Sequence, residues 1–277
     1  MQPIRRDLDF DLPAERVLDW HPAGEHVAHF MNTLSIVFPV GERYFIESVR
    51  HYRDNGTVTD PQLLKEVRAF IGQEAMHGRE HEDYNDAYAA AGANAKALEA
   101  GVLRMLTTLQ KRMPKSFSLA STIALEHYTA ILANALLEHP ELIEGAEPRF
   151  KALWNWHALE ETEHKSVAYD VYCEAMQDRK IRGYALRVST MIIASVVLWG
   201  IVYPAYIDNV RRSGGLFKLS GWREAFRRQF GKAGVLRITL KPWLDYFRPG
   251  FHPWDHDNRH FLEGVEALAE QYNRKAA

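Results

Sequence analysis

The chain has 277 residues, of which 47% are hydrophobic and 25% are charged. This composition is typical of a folded globular protein and argues against disorder. The formal net charge of −2 gives no reason to expect nucleic acid or an anionic membrane as the obligatory partner. The one cysteine, Cys173, excludes an internal disulfide framework and a cysteine-based zinc site. The N-terminus has no apolar run that resembles a signal peptide, so we expect a cytoplasmic protein.

Apolar residues recur with helical periodicity from about residue 26 onward, and no stretch alternates as a half-buried strand does. The sequence therefore predicts an all-α protein, a ferritin-like four-helix bundle with additional C-terminal helices. Caps, prolines and glycines predict where the helices begin and end. The predicted helices span about residues 24–53, 60–91, 95–112, 116–138, 148–177 and, for an apolar helix, 185–210. The predicted domains are an N-terminal extension (1–23), the bundle (24–178), and the additional helices with a C-terminal cap (179–277).

Two strings of four residues, Glu74-Ala-Met-His77 and Glu161-Thr-Glu-His164, share one pattern. A carboxylate and an imidazole three residues apart lie on one face of a helix, so each string can present both groups to one metal ion. Both strings continue an apolar stripe, and so does the lone Glu126. An isolated buried carboxylate is costly, so carboxylates on core-facing stripes predict a shared cation. The alternative for a single string is a solvated pair on the helix surface.

The first predicted helix offers two glutamates, Glu42 and Glu47, as a fourth carboxylate. Glu42 shares a face with Phe38 and Phe45, whereas Glu47 lies among basic residues that explain it as a partner in surface ion pairs. We therefore predict Glu42 as the ligand. The Pro39-Val-Gly41 irregularity just before it predicts a local distortion of the helix.

Four glutamates carry four negative charges, which two divalent cations neutralise while histidines bind as neutral imidazoles. Oxygen-rich coordination with nitrogen ligands suits iron first and manganese second, rather than structural zinc. The predicted cofactor is therefore a pair of metal ions. The predicted metal ligands are Glu42, Glu74, His77, Glu126, His157, Glu161 and His164.

Two further histidines extend the ligand pattern. His157 lies one turn before Glu161 on the same face, and we predict it as a third histidine ligand, with a hydrogen-bonded core histidine as the alternative. His81 lies one turn beyond His77. It is predicted either to hydrogen-bond a ligand or to act as an acid or base toward the substrate.

Other acids and histidines are predicted to lie away from the ions. His127, Glu160 and Glu163 are rotated from the stripes, so we place them on outer faces or behind the ligands. Near the C-terminus, the adjacent aspartates resemble helix caps, and we favour caps over a second metal site there. The histidines at helix-compatible spacing in that region are His252, His256 and His260.

Five long strings surround the predicted ligands, over residues 38–45, 48–52, 70–81, 124–128 and 154–165. These strings resemble the bacterial family called predicted metal-dependent hydrolases, and the resemblance extends from about residue 4 to beyond residue 210. The family signature Phe-Pro-x-Gly-Glu independently points to Glu42. The resemblance implies a metal-dependent enzyme. The word hydrolase is the label of the family and is not indicated by these residues themselves.

The order of the ligands is also similar to that of the di-iron arylamine N-oxygenases, whose extra histidine falls where His157 falls here. This similarity implies a di-iron centre that activates dioxygen. Our leading hypothesis is therefore an oxidase or oxygenase that acts on an apolar small molecule and needs an electron donor. The alternatives are a di-metal hydrolase that uses a metal-activated water, and a ferritin-type iron-handling protein.

Residues 191–207 contain no charged side chain and are flanked on both sides by basic residues. Such a segment lies at the lower length limit for a transmembrane helix. From the overall composition we favour a fifth helix that is buried against the bundle or forms a homodimer. The alternative is a peripheral membrane contact through residues 185–210, in which case the substrate is a lipid or another apolar molecule.

Overall fold

The computed structural model describes residues 2–274 and contains no strand over that range. The prediction of an all-α helical bundle is confirmed, while the ferritin-like class and the three domains remain predictions. The α-helices are α1 (Glu25–Asp54), α2 (Pro61–Ala90), α3 (Ala95–Arg112), α4 (Lys115–Glu138), α5 (Pro148–His164), α6 (Val167–Met176), α7 (Lys180–Arg212), α8 (Leu219–Phe230), α9 (Val235–Ile238), α10 (Leu240–Asp245) and α11 (Val265–Tyr272).

Helix α2 begins as its sequence predicts. The Asp60 carboxylate accepts hydrogen bonds from the backbone N–H groups of Gln62 and Leu63, at 2.6 and 3.0 Å. Pro61 occupies the first helical position, where no backbone N–H is needed. Gly56, with φ of 75°, forms the turn that follows α1.

Helix α1 is continuous through Pro39, which corrects the predicted distortion at residues 39–41. Because proline has no N–H, the carbonyl of Ser35 loses its partner one turn later in the helix. The Asn85 side chain of α2 donates to that carbonyl oxygen at 3.0 Å. The proline is therefore accommodated by a side chain from the neighbouring helix.

The prediction of a single helix over residues 148–177 is wrong in one respect. It is interrupted after His164 by a turn at Lys165 and Ser166, and α6 begins at Val167. The buried Lys165 ammonium donates to Asn258 Oδ1 at 2.6 Å, so the interruption coincides with a contact to the C-terminal segment. Contacts between residues so far apart in the sequence leave no periodic signal in it.

Residues 2–24 lie on the bundle and contribute to its core. Leu8, Phe10 and Trp20 are almost fully buried. The Trp20 ring stacks on Phe150 of α5 with 5.3 Å between ring centroids. Asp9 N–H donates to the Tyr272 carbonyl at 3.0 Å, which joins this segment to α11.

Two buried histidines make the stability of this region depend on pH. Burial lowers the pKa of His21 and His29 to about 4. A lowered pKa in the folded state means that this stability is present above pH 6.5, the usual histidine value, and is lost as pH falls toward 4. We expect the free energy of unfolding to fall by roughly 2 kcal/mol per histidine between pH 7 and pH 5.

Urea denaturation in the presence of a chelator measures this effect. The His29→Gln variant should lose stability by roughly 2 kcal/mol less than wild type over the same pH interval. An identical pH dependence in the two proteins would show that His29 does not titrate as the structure indicates.

Among residues 2–274, one helical stretch, Pro148–Arg212, contains a window that is long and apolar enough to cross a membrane, and α7 is the apolar part of it. Only 28% of its most apolar window is buried within residues 2–274. Its other face is tied to the bundle: Thr190 Oγ1 donates to the Ala120 carbonyl at 3.1 Å, and Asn209 Nδ2 donates to Thr33 Oγ1 at 3.3 Å. The expected burial of this helix against the bundle is therefore confirmed for its inner face only, and the homodimer that was its alternative stays a prediction.

Candidate metal centre

All seven predicted metal ligands come together in one buried cluster between four helices. Each of these residues is exposed by 4% or less. Helix α1 contributes one ligand, α2 two, α4 one and α5 three. In chain order they are Glu42, Glu74, His77, Glu126, His157, Glu161 and His164.

Six of these side chains form two groups, each compact enough to hold one ion. In both groups the three ligand atoms lie within 4.8 Å of one another. One group contains Glu42, His77 and His157, and the other contains Glu74, Glu161 and His164. Glu126 joins the second group, since its Oε2 lies 3.8 Å from His164 Nε2.

Two glutamates lie between the groups. Glu74 Oε1 is 3.0 Å from His164 Nε2 and 3.9 Å from His77 Nδ1. Glu161 Oε2 is 3.6 Å from His164 Nε2, and its Oε1 is 4.0 Å from His77 Nδ1. These two carboxylates are therefore positioned to be shared by two ions.

The atoms that face the centre of the cluster have no hydrogen-bond partner among residues 2–274. They include both carboxylate oxygens of Glu42, Glu74 and Glu126, together with His77 Nδ1 and His164 Nε2. His164 Nε2 lies 3.0 Å from Glu74 Oε1, but the two atoms are poorly aligned for a hydrogen bond. Buried polar atoms of this kind are costly unless they are paired. This set of six oxygens and two nitrogens has the chemistry of metal ligands.

The electrostatics of the cluster indicate a missing positive charge. Burial, and then the neighbouring carboxylates, raise the pKa of Glu42 and Glu126 well above the usual glutamate value. Burial opposes ionisation of both Glu161 and His164, yet their mutual attraction holds the pKa of Glu161 well below its usual value and raises that of His164. One such pair does not neutralise four carboxylates, so the rest need protons or cations.

A chain of hydrogen bonds orients the His157 ring. Asn85 Nδ2 donates to the Ser35 carbonyl, so Asn85 Oδ1 accepts from the Ser35 hydroxyl at 2.8 Å. Ser35 Oγ then accepts from His81 Nδ1 at 2.8 Å. Burial lowers the pKa of His81 well below its usual value, and its free Nε2 accepts from His157 Nδ1 at 2.7 Å. On the other side of the same ring, His157 Nε2 lies 3.0 Å from Glu161 Oε1.

In His77 and His164, the ring nitrogen on the side away from the carboxylates also has a hydrogen-bond partner. His77 Nε2 lies 3.1 Å from Glu160 Oε2, while Arg6 Nη1 donates to Glu160 Oε1 at 3.0 Å. His164 Nδ1 lies 2.9 Å from Gln73 Oε1. The ring nitrogens on the side of the carboxylates are therefore His77 Nδ1 and His164 Nε2. Such outer hydrogen bonds orient metal-binding histidines.

The positions of several of these hydrogen-bond partners differ from those that the sequence predicts. Glu160 and Glu163 are buried behind the ligands, so the outer-face alternative for them is wrong. Arg6 bridges the two, with Glu163 Oε1 at 2.8 Å from its Nη2. For Gln73 the sequence offers one usable signal of a role near the ligands, which is its position directly before Glu74. For Arg6 the sequence offers no such signal, because the first 23 residues have no periodic pattern.

The remaining histidines have partners elsewhere. His127 is buried under the C-terminal segment, where its Nε2 lies 3.1 Å from the Pro242 carbonyl oxygen. His252 Nε2 lies 3.0 Å from Asp170, and His256 Nε2 lies 3.4 Å from Asp245. Within residues 2–274, no group able to hold a metal includes any member of the C-terminal histidine trio.

Two apolar cavities, of about 260 and 110 Å³, meet at the cluster. The larger one reaches Glu42 and Glu161, and the smaller one reaches His157 and Glu161. Thr129 lines both cavities, with its hydroxyl 2.6 Å from Glu161 Oε2. His81 lines neither, which favours its role as a hydrogen-bond partner of His157 over direct contact with a substrate. The walls that the two cavities share are Leu34, Phe38, Thr129, Leu132 and Glu161.

Comparison with known proteins agrees with the metal dependence that this cluster indicates. The model of one family, described as predicted metal-dependent hydrolase, matches residues 4–257. No curated protein and no solved structure matches the chain. The matched range includes every clustered ligand and all the helices that carry them. The chain belongs to the family of predicted metal-dependent hydrolases.

Proposed function

We propose that this protein is an enzyme with a two-metal centre that acts on an apolar substrate. The observation that carries the proposal is the set of unpartnered buried atoms of Glu42, Glu74, Glu126, His77 and His164. Two divalent cations neutralise four carboxylates without protonating any of them. The cluster lies at the meeting point of two apolar cavities, as a reaction centre should.

The positions of the ligands suggest how the ions share them. Glu42, His77 and His157 would hold one ion, and Glu126 and His164 the other. Glu74 and Glu161 would contact both, because each lies within 4.0 Å of His77 and of His164. Oxygen-rich sites with imidazole and without thiolate favour iron, with manganese second.

Hydrolysis is the reaction that the description of the family supports. When bound, paired ions would supply the activation of water near neutral pH that such a reaction needs. The chain's own contribution is positioning. Apolar walls orient the substrate. The Thr129 hydroxyl is a polar group at the junction of the cavities, where it holds its proton toward Glu161 Oε2 in a hydrogen bond of 2.6 Å.

Oxidation by dioxygen is the second candidate, and one specific observation favours it. The larger cavity is lined mainly by apolar side chains such as Val37, Phe45 and Leu125, which disfavour ordered water beside the ligands. An oxidation benefits from apolar surroundings, whereas a hydrolysis must admit water. The ligand set also suits iron, the metal that this chemistry uses.

One reconstitution experiment tests the proposal and separates the two reactions. The purified protein is loaded anaerobically with ferrous iron, the metal is counted by elemental analysis, and visible spectra are recorded before and after oxygen is admitted. We expect about two ions per chain. An oxygen-dependent absorption band selects oxidation, and two ions without a response to oxygen select hydrolysis.

Two other outcomes would overturn the proposal. Substoichiometric metal in the folded protein would show that the buried carboxylates are neutralised by protons instead. Iron that accumulates far beyond two ions per chain would indicate iron storage. Glu47→Gln is the matched control, since Glu47 is an exposed glutamate on the same helix as Glu42 and should leave the metal count unchanged.

A further inference from the structure

An uncharged stripe of exposed side chains follows α7. Between residues 185 and 207 no exposed side chain of this helix is charged. At 1.5 Å per residue the stripe is about 33 Å long. Its centre is strongly exposed, with Val196 at 70% and Ile192 at 50%. A continuous apolar face of this length marks a surface that another apolar phase or molecule covers.

The next part of the chain is strongly basic. Residues 211–248 contain ten arginines and lysines but only two acidic residues, a net charge of +8, whereas the whole chain carries −2. Arg223, Lys232, Arg237 and Lys241 are exposed. None of these four forms an ion pair with another described residue. Their charges are therefore available to an external anionic partner.

The basic segment lies along α7. Tyr203 of α7 donates to Gln229 Oε1 of α8 at 2.8 Å, and Trp243 Nε1 of α10 donates to Ser195 Oγ at 3.1 Å. Both flanking helices expose large apolar side chains among their basic residues. These side chains are Phe226 and Phe230 on α8, and Leu240 and Leu244 on α10.

The larger cavity opens toward the same helix. Ile193 and Val197 line it, and their side chains are also exposed, at 47% and 36%. The same cavity is also lined by Glu42 and Glu161. An apolar path therefore connects the outward face of α7 with the metal cluster.

We propose that α7, α8 and α10 form a docking face for the surface of an anionic lipid bilayer. Helix α7 lies on the bilayer rather than crossing it, because its inner face is hydrogen-bonded to α1 and α4. A second copy of the chain fits this face less well, since two segments of charge +8 would meet. Delivery of an apolar substrate through the Ile193 and Val197 opening rests on the proposed function, but docking itself does not.

Cosedimentation of the full chain with lipid vesicles tests the proposal. We expect binding to vesicles of phosphatidylcholine with one third phosphatidylglycerol, little binding to phosphatidylcholine alone, and weaker binding at high salt. The double variant Arg223→Glu with Lys241→Glu should reduce the bound fraction at least about tenfold. Ile192→Asp with Val196→Asp should do the same, because it places charge on the apolar stripe.

A double variant with the same change in net charge serves as the control. Arg50→Glu with Arg68→Glu alters exposed arginines on α1 and α2, and it should bind vesicles as wild type does. Equal losses in both charge-reversal variants would mean that net charge alone governs binding and would overturn the docking face. So would a lack of wild-type binding, or a stable dimer that Ile192→Asp with Val196→Asp converts to a monomer. Because vesicle binding needs no metal, it is independent of the two-metal proposal.

Discussion

Replacing Glu161 by glutamine is expected to remove most of the metal from this protein. Glu161 lies between the two ligand groups, within 4.0 Å of both His77 and His164, and its Oε1 is 3.0 Å from His157 Nε2. Glutamine keeps the shape of the side chain but removes the negative charge that two ions would share. We expect the affinity for metal to fall by at least about 100-fold, and the count to fall below one ion per chain.

Elemental analysis after gel filtration measures this count, and circular dichroism verifies that the variant is folded. Glu47→Gln is again the matched control, because Glu47 is exposed to solvent and distant from the ligand groups in the helical pattern of α1. A folded Glu161→Gln protein that retains about two ions would contradict the shared position of this carboxylate. Loss of one ion only would assign Glu161 to a single ion.

The sequence predicts the ligand cluster well because each ligand continues a helical stripe of apolar residues. A charged side chain on such a stripe must lie in the core, and helical geometry then fixes which residues share its face. The choice between Glu42 and Glu47 follows from this argument alone, and the structure has Glu42 buried and Glu47 exposed. Short-range periodicity is sufficient where both partners lie on regular helices.

The same reasoning fails where the partner lies in an irregular segment. Glu160 is rotated by about 100° from Glu161, which predicts an outer face unless something covers it. The covering segment contains Arg6, 154 residues away in sequence. The sequence also does not predict the hydrogen bond from Asn85 to the Ser35 carbonyl, which Pro39 leaves without a partner. That bond depends on the register between α1 and α2.

Replacing Arg6 by alanine is expected to destabilise the protein more than any other single change in its N-terminal segment. The Arg6 side chain is 5% exposed and lies 3.0 Å from Glu160, 2.8 Å from Glu163 and 2.6 Å from Glu266. Its removal leaves the first two carboxylates buried without their cation. Breaking a buried ion pair in this way costs about 3–5 kcal/mol. The loss should appear in urea denaturation of the chelated protein.

Arg5→Ala is the matched control for this prediction, because its side chain is 57% exposed and its ion pair with Asp7 is long, at 3.8 Å. We expect it to change stability by less than about 1 kcal/mol. Arg6→Ala should also weaken metal binding by about 10- to 100-fold, since Glu160 orients His77. If Arg6→Ala unfolds at the same urea concentration as Arg5→Ala, the N-terminal segment does not secure the metal centre. If stability falls while the affinity for metal is unchanged, Arg6 supports the fold without acting on His77.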